Sequence, residues 1–445
     1  MQDALALAIE ALSWIEHERL GERAAFARAM RQLRVTEPDQ LRTAQLLILE
    51  TTRRRNFIDY LIQKASDGRT DPDSLQHGIT SFMRIFCYWA KFHRASDDDL
   101  VRILRAARSV LGWKAMYPIE YLFGRILSSN LREATAGLSA DEAQALDLFH
   151  PAWFAHACTN LLGRSAALRL MQRNLHAASS YIRVSTLREG EETCLREIER
   201  AEIKVEPVDK LPLTFKVLSS RRPIVRTKPY RDGIIAVQDK GSILASVVAA
   251  PKPGDSVLDI CAAPGAKTTH LAQLMENEGV IYSVDRSSDR MSFWMREISR
   301  LGVEIAHPVL ADARKPLPMN TQADVVVLDP PCSNTGTFWR SPAAKWIVTP
   351  ERVRHLAVAQ SSMLENVAHL VSEGGTLVYS TCTVLAEENE QIVNHFLRAN
   401  PDFKAVESSP RIGLPGFYSS EKCQRLYPHI HDCNGHFLSK MKRVD

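Results

Sequence analysis

From residue 1 to about 150 the apolar positions recur at helical spacing. The stretch "LRTAQLLILETTRRRNFIDYLIQKA" sets Leu46, Leu47, Leu49, Phe57, Tyr60 and Leu61 on recurring faces, with Arg53, Arg54 and Arg55 between them. That period predicts a helical bundle over 1–150. At "SYIRVST" the pattern turns to a short strand, then a charged helix ("EGEETCLREIERAE") and two more strands ("IKVEPV", "LTFKVL"). This order suits a small α/β platform of ferredoxin-like type, closed by the basic, proline-containing linker "SSRRPIVRTKPYRDG", over 151–235. From 236 to 445 continuous apolar strands ("DSVLDICA", "GVIYSVD", "EIAHPVL", "ADVVVLD", "GTLVYST") alternate with amphipathic helices. Strands buried on both faces predict a doubly wound, Rossmann-like parallel sheet. Ligands of such sheets bind beyond the carboxyl ends of the strands, so the residues after each strand are the ones to inspect.

A length of 445 residues agrees with two or three domains. With 45% hydrophobic and 24% charged residues, and no apolar run near the roughly 18 that span a bilayer, a globular chain outside the membrane is expected. The start, "MQDALALAIEALSWIEHERL", carries acids rather than a basic region before its apolar residues, so no signal peptide is expected. Eight cysteines without a CxxC pair favour free thiols in a reducing cytoplasm. Cys423, His429, His431 and Cys433 fit no common zinc spacing, and no metal is expected. The net charge of +4 is unevenly spread: residues 151–235 hold 15 Lys/Arg against 9 Asp/Glu, residues 1–150 hold 20 of each. Phosphate contacts are expected in the middle of the chain.

The first strand of the parallel sheet ends in "LDICAAPGAKTTH". After Asp259 a tight turn through Pro264 and Gly265 opens a helix near Lys267, with backbone amides facing a ligand. Ala266 replaces the glycine of a phosphate loop, and GxGxxG is absent, which disfavours phosphate binding. "YSVDRSS" puts Asp285 at the second tip, suited to both hydroxyls of a ribose, and "LADAR" puts Asp312 past the third, suited to an adenine amine. Acids after successive strands without a phosphate loop fit S-adenosylmethionine better than a dinucleotide.

"LDPPCSNTG" sets Cys332 just after Asp329, at a place where exocyclic-amine methyltransferases carry an aromatic ring. Methylating carbon 5 of a pyrimidine requires prior addition of a thiolate to carbon 6, so a cysteine there has a chemical use. The neighbouring strand ends "VYSTCTVLAEENE", placing Cys382 one tip over. Two thiols beside Asp329 describe a device in which one attacks and the other helps the adduct break down. Amine methylation, or a non-catalytic RNA-binding assembly factor, are the competing readings; the intact Asp329, Cys332 and Cys382 speak against the second.

Together "DPPCSNTGT", "STCTVLAEENE" and "CAAPGAKT" resemble the RsmB or Sun-type family of RNA 5-methylcytosine methyltransferases. "HPAWF", "SYIRVST" and "VQDKGSILASVVAAPKPGD" resemble its upstream segments, and the helical stretch resembles a NusB-like RNA-binding domain. The resemblance implies Cys382 as nucleophile and Cys332 as the residue of release. It implies Asp329 on the N3 and N4 edge of cytosine, with Lys267 holding the base or Asp329. It further implies S-adenosylmethionine along Cys261, Ala262, Ala263, Pro264, Gly265, Ala266 and Lys267, with Asp285, Arg286, Asp312 and Asp329. An RNA substrate, ribosomal before transfer RNA by analogy, and a monomeric protein are expected. Ala266, Ser185 and "NGHF" depart from the family's usual glycine, asparagine and aromatic. The thiolate of Cys382 is expected to gain from helix amides and a basic channel.

Overall fold

The computed structural model describes residues 1–69, 71 and 74–444, and the chain divides into two compact units. The first comprises Met1–His176 with Phe338–Val348; the second comprises Ala177–Thr337 with Thr349–Asp445.

The first unit is helical. Gln2–His17 is a central helix that buries more than one stripe, with Ala4, Leu5, Leu7, Ala8, Ile9, Ala11, Leu12 and Ile15 all in the core. In Pro38–Arg53 the stripe is Ala44, Leu47, Ile48 and Thr51, so Leu46, expected on a buried face, is turned out and half exposed. Phe57, Phe82, Phe86 and Trp89 are buried core residues. The helices run past residue 150, where the sequence pattern marks a boundary, through Ala152–Leu162 and Arg164–Arg173.

Residues 338–348, which follow the "DPPCSNTGT" string, belong to this helical unit. Phe338 lies against Phe154 with ring centroids 4.9 Å apart, and the Arg173 guanidinium sits 4.4 Å over the Trp339 ring. Lys345 is fully buried and donates to the carbonyls of Arg53 (2.8 Å) and Phe149 (2.7 Å). Burial, with Arg53 and Arg54 nearby, pushes its ammonium well below the ordinary lysine range.

The second unit holds two sheets. The smaller has β1 (Ser180–Val184), β2 (Ile203–Pro207), β3 (Thr214–Ser220) and β4 (Ile235–Val237) in the order β2-β3-β1-β4. All its pairs are antiparallel, with the helix Glu191–Arg200 between β1 and β2 and the single turn Lys228–Arg231 before β4. This is the expected ferredoxin-like platform with its second helix reduced to one turn. Arg183 on β1 is fully buried and donates to Gln238 (3.2 Å), Thr269 (3.1 Å) and Gln273. It thereby ties the platform to the helix Ala266–Leu274.

In the larger sheet β5 (Ser256–Ile260), β6 (Val280–Asp285), β7 (Ala306–Leu310), β8 (Ala323–Leu328) and β9 (Val371–Thr381) are parallel, in the order β7-β6-β5-β8-β9. β10 (Phe403–Val406), β11 (Leu414–Pro415), β12 (Gln424–Leu426) and β13 (His436–Arg443) complete it, with β13 antiparallel to β9. Val257, Val325, Val327 and Val378 face one apolar layer; Leu258, Val326, Leu328 and Leu377 face the other. That alternation explains the unbroken apolar strands in the sequence. The order of connection reverses between β5 and β8, which opens a crevice beyond their carboxyl ends.

Candidate active site

Each candidate side chain lies at one of these strand tips because a parallel strand delivers its next residue to the crevice. Past β5 the chain turns through Cys261 at φ +64° and Gly265 at φ +107°, and Gly265 begins the helix that carries Lys267. Only glycine adopts the latter conformation freely, and a Cβ there would lie 3.2 Å from the Trp294 ring. Lys267 is 6% exposed and points its ammonium at Asp329, with Nζ 2.5 Å from Oδ2. Burial pulls the lysine's pKa down, but the paired Asp329 outweighs it and holds the ammonium above its ordinary range. Ser380 donates to the other Asp329 oxygen at 3.3 Å.

The thiols of Cys332 and Cys382 meet: their sulfurs are 3.2 Å apart. The Cys382 thiol also donates to Asn334 Oδ1 at 2.8 Å, and Asn334 Nδ2 donates to the Cys332 carbonyl at 3.2 Å. That second bond fixes which end of the amide faces the sulfur. The surroundings do not favour the Cys382 thiolate, contrary to the expectation of an electropositive tip. Its contact with Cys332, burial and Asp329 raise its pKa well above the ordinary thiol range, and Lys267 offsets only part of this.

The two thiol loops are stitched together by short polar groups. Thr335 and Thr383 hydroxyls lie 2.7 Å apart, the Gly336 N–H donates to the Cys382 carbonyl at 3.0 Å, and the Gly435 N–H donates to the Gly336 carbonyl at 2.8 Å. A Cβ on Gly336 would lie 2.1 Å from that Gly435 backbone, so a side chain there would push the Cys332 loop off the turn that precedes β13.

On the other side of β5, Cys261, Asp285, Arg286, Asp312 and Pro331 line one narrow hollow with a cavity volume of about 60 Å³. Asp285 accepts from the N–H of Ala263 (3.2 Å) and of Ser287 (3.0 Å), and Arg290 pairs with it at 3.2 Å. Arg290 also donates to the Ala263 carbonyl. Asp312 is gripped by Arg314, with Nε 3.0 Å from Oδ1, which holds its carboxyl down at about 2. Carboxylate acceptors at adjacent tips, beside a glycine turn that presents amides, fit the hydroxyl, amine and carboxylate edges of S-adenosylmethionine. Beneath the turn Asp259 is fully buried, with one oxygen accepting from Thr268 at 2.5 Å and the other without a partner.

Thus the structure brings Lys267, Asp329, Cys332 and Cys382 together in one group, and Cys261, Asp285, Arg286 and Asp312 in another. Cys423 and Cys433, weighed in the sequence as metal ligands, lie in separate apolar clusters. Sequence reasoning did not find Arg290, Arg314, Asn334, Gln360, Glu388 or Asn389. Arg314, Asn334, Glu388 and Asn389 each lie inside a string that marks a strand tip ("LADAR", "LDPPCSNTG", "STCTVLAEENE"), whereas Arg290 and Gln360 carry no such signal.

Residues 246–442 match the family described as "16S rRNA methyltransferase RsmB/F". A protein of Bacillus subtilis named "Probable ribosomal RNA small subunit methyltransferase B" is 28% identical over 89% of this chain and 89% of its own. The "tRNA (cytosine(72)-C(5))-methyltransferase" of Pyrococcus horikoshii is 37% identical over 49% of this chain and 54% of its own. The crystal structure of NSun6 from Pyrococcus horikoshii with SFG, an analogue of S-adenosylmethionine, superposes with a TM-score of 0.62 at 26% identity, over 66% of this chain and 98% of that one. With the fold, the paired thiol strings and these likenesses in agreement, the chain belongs to the RsmB/F family of S-adenosylmethionine-dependent methyltransferases.

Proposed function

We propose that this protein methylates carbon 5 of a cytosine in RNA, with ribosomal RNA favoured over transfer RNA, and that Cys382 attacks carbon 6 while Cys332 promotes release. The observation that carries this reading is the meeting of two thiols, 3.2 Å apart, beside the Lys267–Asp329 ion pair. An amine methyltransferase has no use for either thiol. The description of the matched family and the name of the Bacillus subtilis relative favour ribosomal RNA.

In this mechanism the base leaves its stack to reach the strand tips. Asp329, steadied by Lys267 and Ser380, accepts from the N4 amine, and the proton that Cys382 gives up as its sulfur adds to carbon 6 passes by way of Asp329 to N3, which stabilises the charge that develops on the ring. Hydrogen bonding to the base also disperses the Asp329 charge, one of the causes that keep Cys382 protonated at rest. S-adenosylmethionine supplies an electrophilic methyl sulfonium. A general base, water included, takes the carbon-5 proton, the electron pair re-forms the double bond between carbons 5 and 6, and the Cys382 sulfur leaves as a thiolate with Cys332 at contact distance as its proton donor.

The helical unit, read as a NusB-like domain, and the basic platform and linker that follow it position the RNA in this proposal, and the protein works as a cytoplasmic monomer. On the platform a hollow of about 230 Å³ is lined by Arg222, Arg226 and Arg231 together with Arg200, Arg221 and Lys228, which pair with Glu197, Glu202 and Asp232, a net basic surface suited to phosphates.

Denaturing electrophoresis of RNA-linked protein tests the thiol roles. Cys382→Ala should abolish methylation and adduct together, whereas Cys332→Ala should transfer methyl, stall, and accumulate the linked species. Adduct from Cys382→Ala and none from Cys332→Ala would reverse the assignment, and no adduct from either would remove the covalent mechanism.

A further inference from the structure

Behind the thiols, within the second unit, a buried polar group connects the one-turn helix Ala386–Glu388 to both strand tips. Glu388, Asn389 and Gln360 are each fully buried. Glu388 Oε1 accepts from the Ser333 N–H at 2.8 Å and from Gln360 Nε2 at 2.9 Å. The same Gln360 nitrogen donates to the Pro331 carbonyl at 3.0 Å. The peptide groups on either side of Cys332 are thus both held, one by Glu388 and the other by the glutamine that Glu388 orients. Tyr379 fixes the arrangement from behind, donating to the Glu388 carbonyl at 2.7 Å.

The next residue does the same for the other thiol. Asn389 Oδ1 accepts from the Thr381 hydroxyl at 2.5 Å, and Asn389 Nδ2 donates to the Thr383 carbonyl at 3.0 Å. Those are the residues that flank Cys382. We propose that Glu388 and Asn389 are positioning residues with divided duties, Glu388 holding Cys332 and Asn389 holding Cys382, so that one rigid turn sets the spacing of the two sulfurs.

The physical case rests on burial. A buried carboxylate and two buried amides are costly unless they make specific hydrogen bonds, and here most of those bonds fall on the flanks of the two cysteines. Burial raises the Glu388 carboxyl above its ordinary range, while the Ser333 and Gln360 donors work against that rise. A glutamine at 388 keeps an oxygen for the Ser333 and Gln360 donors, so Glu388→Gln is the conservative variant. Removing a hydrogen bond to a charged, buried acceptor forfeits enough free energy to loosen a loop by roughly tenfold or more in local opening.

The test uses the full chain and reads each thiol separately. Iodoacetamide alkylation of Cys332 and of Cys382, resolved by peptide mass, needs no RNA and therefore stands even if the proposed reaction fails. Glu388→Ala should raise the Cys332 rate relative to Cys382 by roughly tenfold, Asn389→Ala should shift the ratio the other way, and Glu388→Gln should restore the wild-type ratio. Gln360→Ala and Asn389→Asp, each removing part of one clamp, should move the ratio in the same opposed directions, and they serve if an alanine variant at 388 or 389 does not fold. S-adenosylmethionine binding by calorimetry reports the fold. The RNA arm, which rests on the proposed function, should show Glu388→Ala accumulating the linked species as Cys332→Ala does, and Asn389→Ala slow to form it. If the ratio is unchanged, or moves the same way in both sets, the divided roles are wrong. If the ratio moves as stated but Cys332→Ala accumulates nothing, the clamps stand and the covalent release step falls.

Discussion

At the tips of β8 and β9 the groups assigned to the reaction are held largely across segments, Asp329 by Lys267, Cys382 by Asn334 and the two sulfurs by each other, although Asn334 is only two residues from Cys332. At the tips of β6 and β7 the carboxylates are held by their own neighbours, Asp285 by Arg290 and Asp312 by Arg314. The difference is one of permanence. Lys267 is buried and has nowhere else to point, whereas the Arg290 and Arg314 side chains are each about half exposed and can swing away. The thiol side is preorganised for a transition state, where fixed dipoles act without reorganisation. On the proposed cofactor side Asp285 and Asp312 are paired with arginines, and a ligand that binds these carboxylates would exchange places with them. Asp259 on β5 lies between the two sides and feels the charges of both Asp329 and Asp285.

The largest effect expected on the cofactor side follows from Asp285. Two charge-assisted hydrogen bonds to a ribose are worth about 1.5–3 kcal/mol each, so Asp285→Ala should weaken S-adenosylmethionine binding by roughly a hundredfold or more. Calorimetry measures it directly. An affinity within about twofold of wild type would take Asp285 out of the site and leave the hollow without its main acceptor.

The next effect is on stability. Burial, more than the Asp329 and Asp285 charges, lifts Asp259 from 3.8 to about 6. A raised carboxyl favours the folded state fully below its unfolded value, and this advantage is lost as pH climbs through the folded value. The window is therefore about pH 4 to 6.5, and the loss is on the order of 3 kcal/mol. Asp259→Asn keeps an acceptor for the Thr268 hydroxyl but cannot ionise. Its stability relative to wild type should rise with pH across that window and level off above it, in thermal unfolding at fixed ionic strength. A difference that stays flat from pH 4.5 to 8 would mean that Asp259 titrates normally.

How much of this could be read in the sequence depends on how locally each feature is encoded. Strand, glycine turn and acid follow one another in "LDICAAPGAKT" and "YSVDRSS", and the thiols sit directly after their strands, so periodicity and strings placed them at the crevice. Glu388 and Gln360 act on main-chain atoms of another segment, and a main-chain partner leaves no residue type to recognise, while Asn389 acts on the Thr381 hydroxyl and the Thr383 carbonyl of its own string. Residues 338–348 read as part of the catalytic stretch, yet the buried Phe338, Trp339 and Lys345 join the helical unit through long-range contacts that no local pattern announces. The acidity of Cys382 was misjudged for a related reason: the sequence shows a basic chain, whereas the sulfur's nearest neighbours are a second thiol and an amide oxygen.

The smallest effect distinguishes a displaceable arginine from a ligand-binding one. Arg314 is half exposed and grips Asp312 in a surface ion pair, and such pairs contribute about 0–1 kcal/mol after screening. If Asp312 accepts the adenine amine, the grip competes with the cofactor, and Arg314→Ala should tighten S-adenosylmethionine binding by up to roughly fivefold. The gain should shrink as salt rises, because screening already weakens the pair in the wild type. Asp312→Asn, which replaces an ionised acceptor by a neutral one, should move the affinity the opposite way. A loss of tenfold or more in Arg314→Ala would show that Arg314 itself touches the ligand, and the contrast between a preorganised thiol side and an exchangeable cofactor side would then no longer hold at β7.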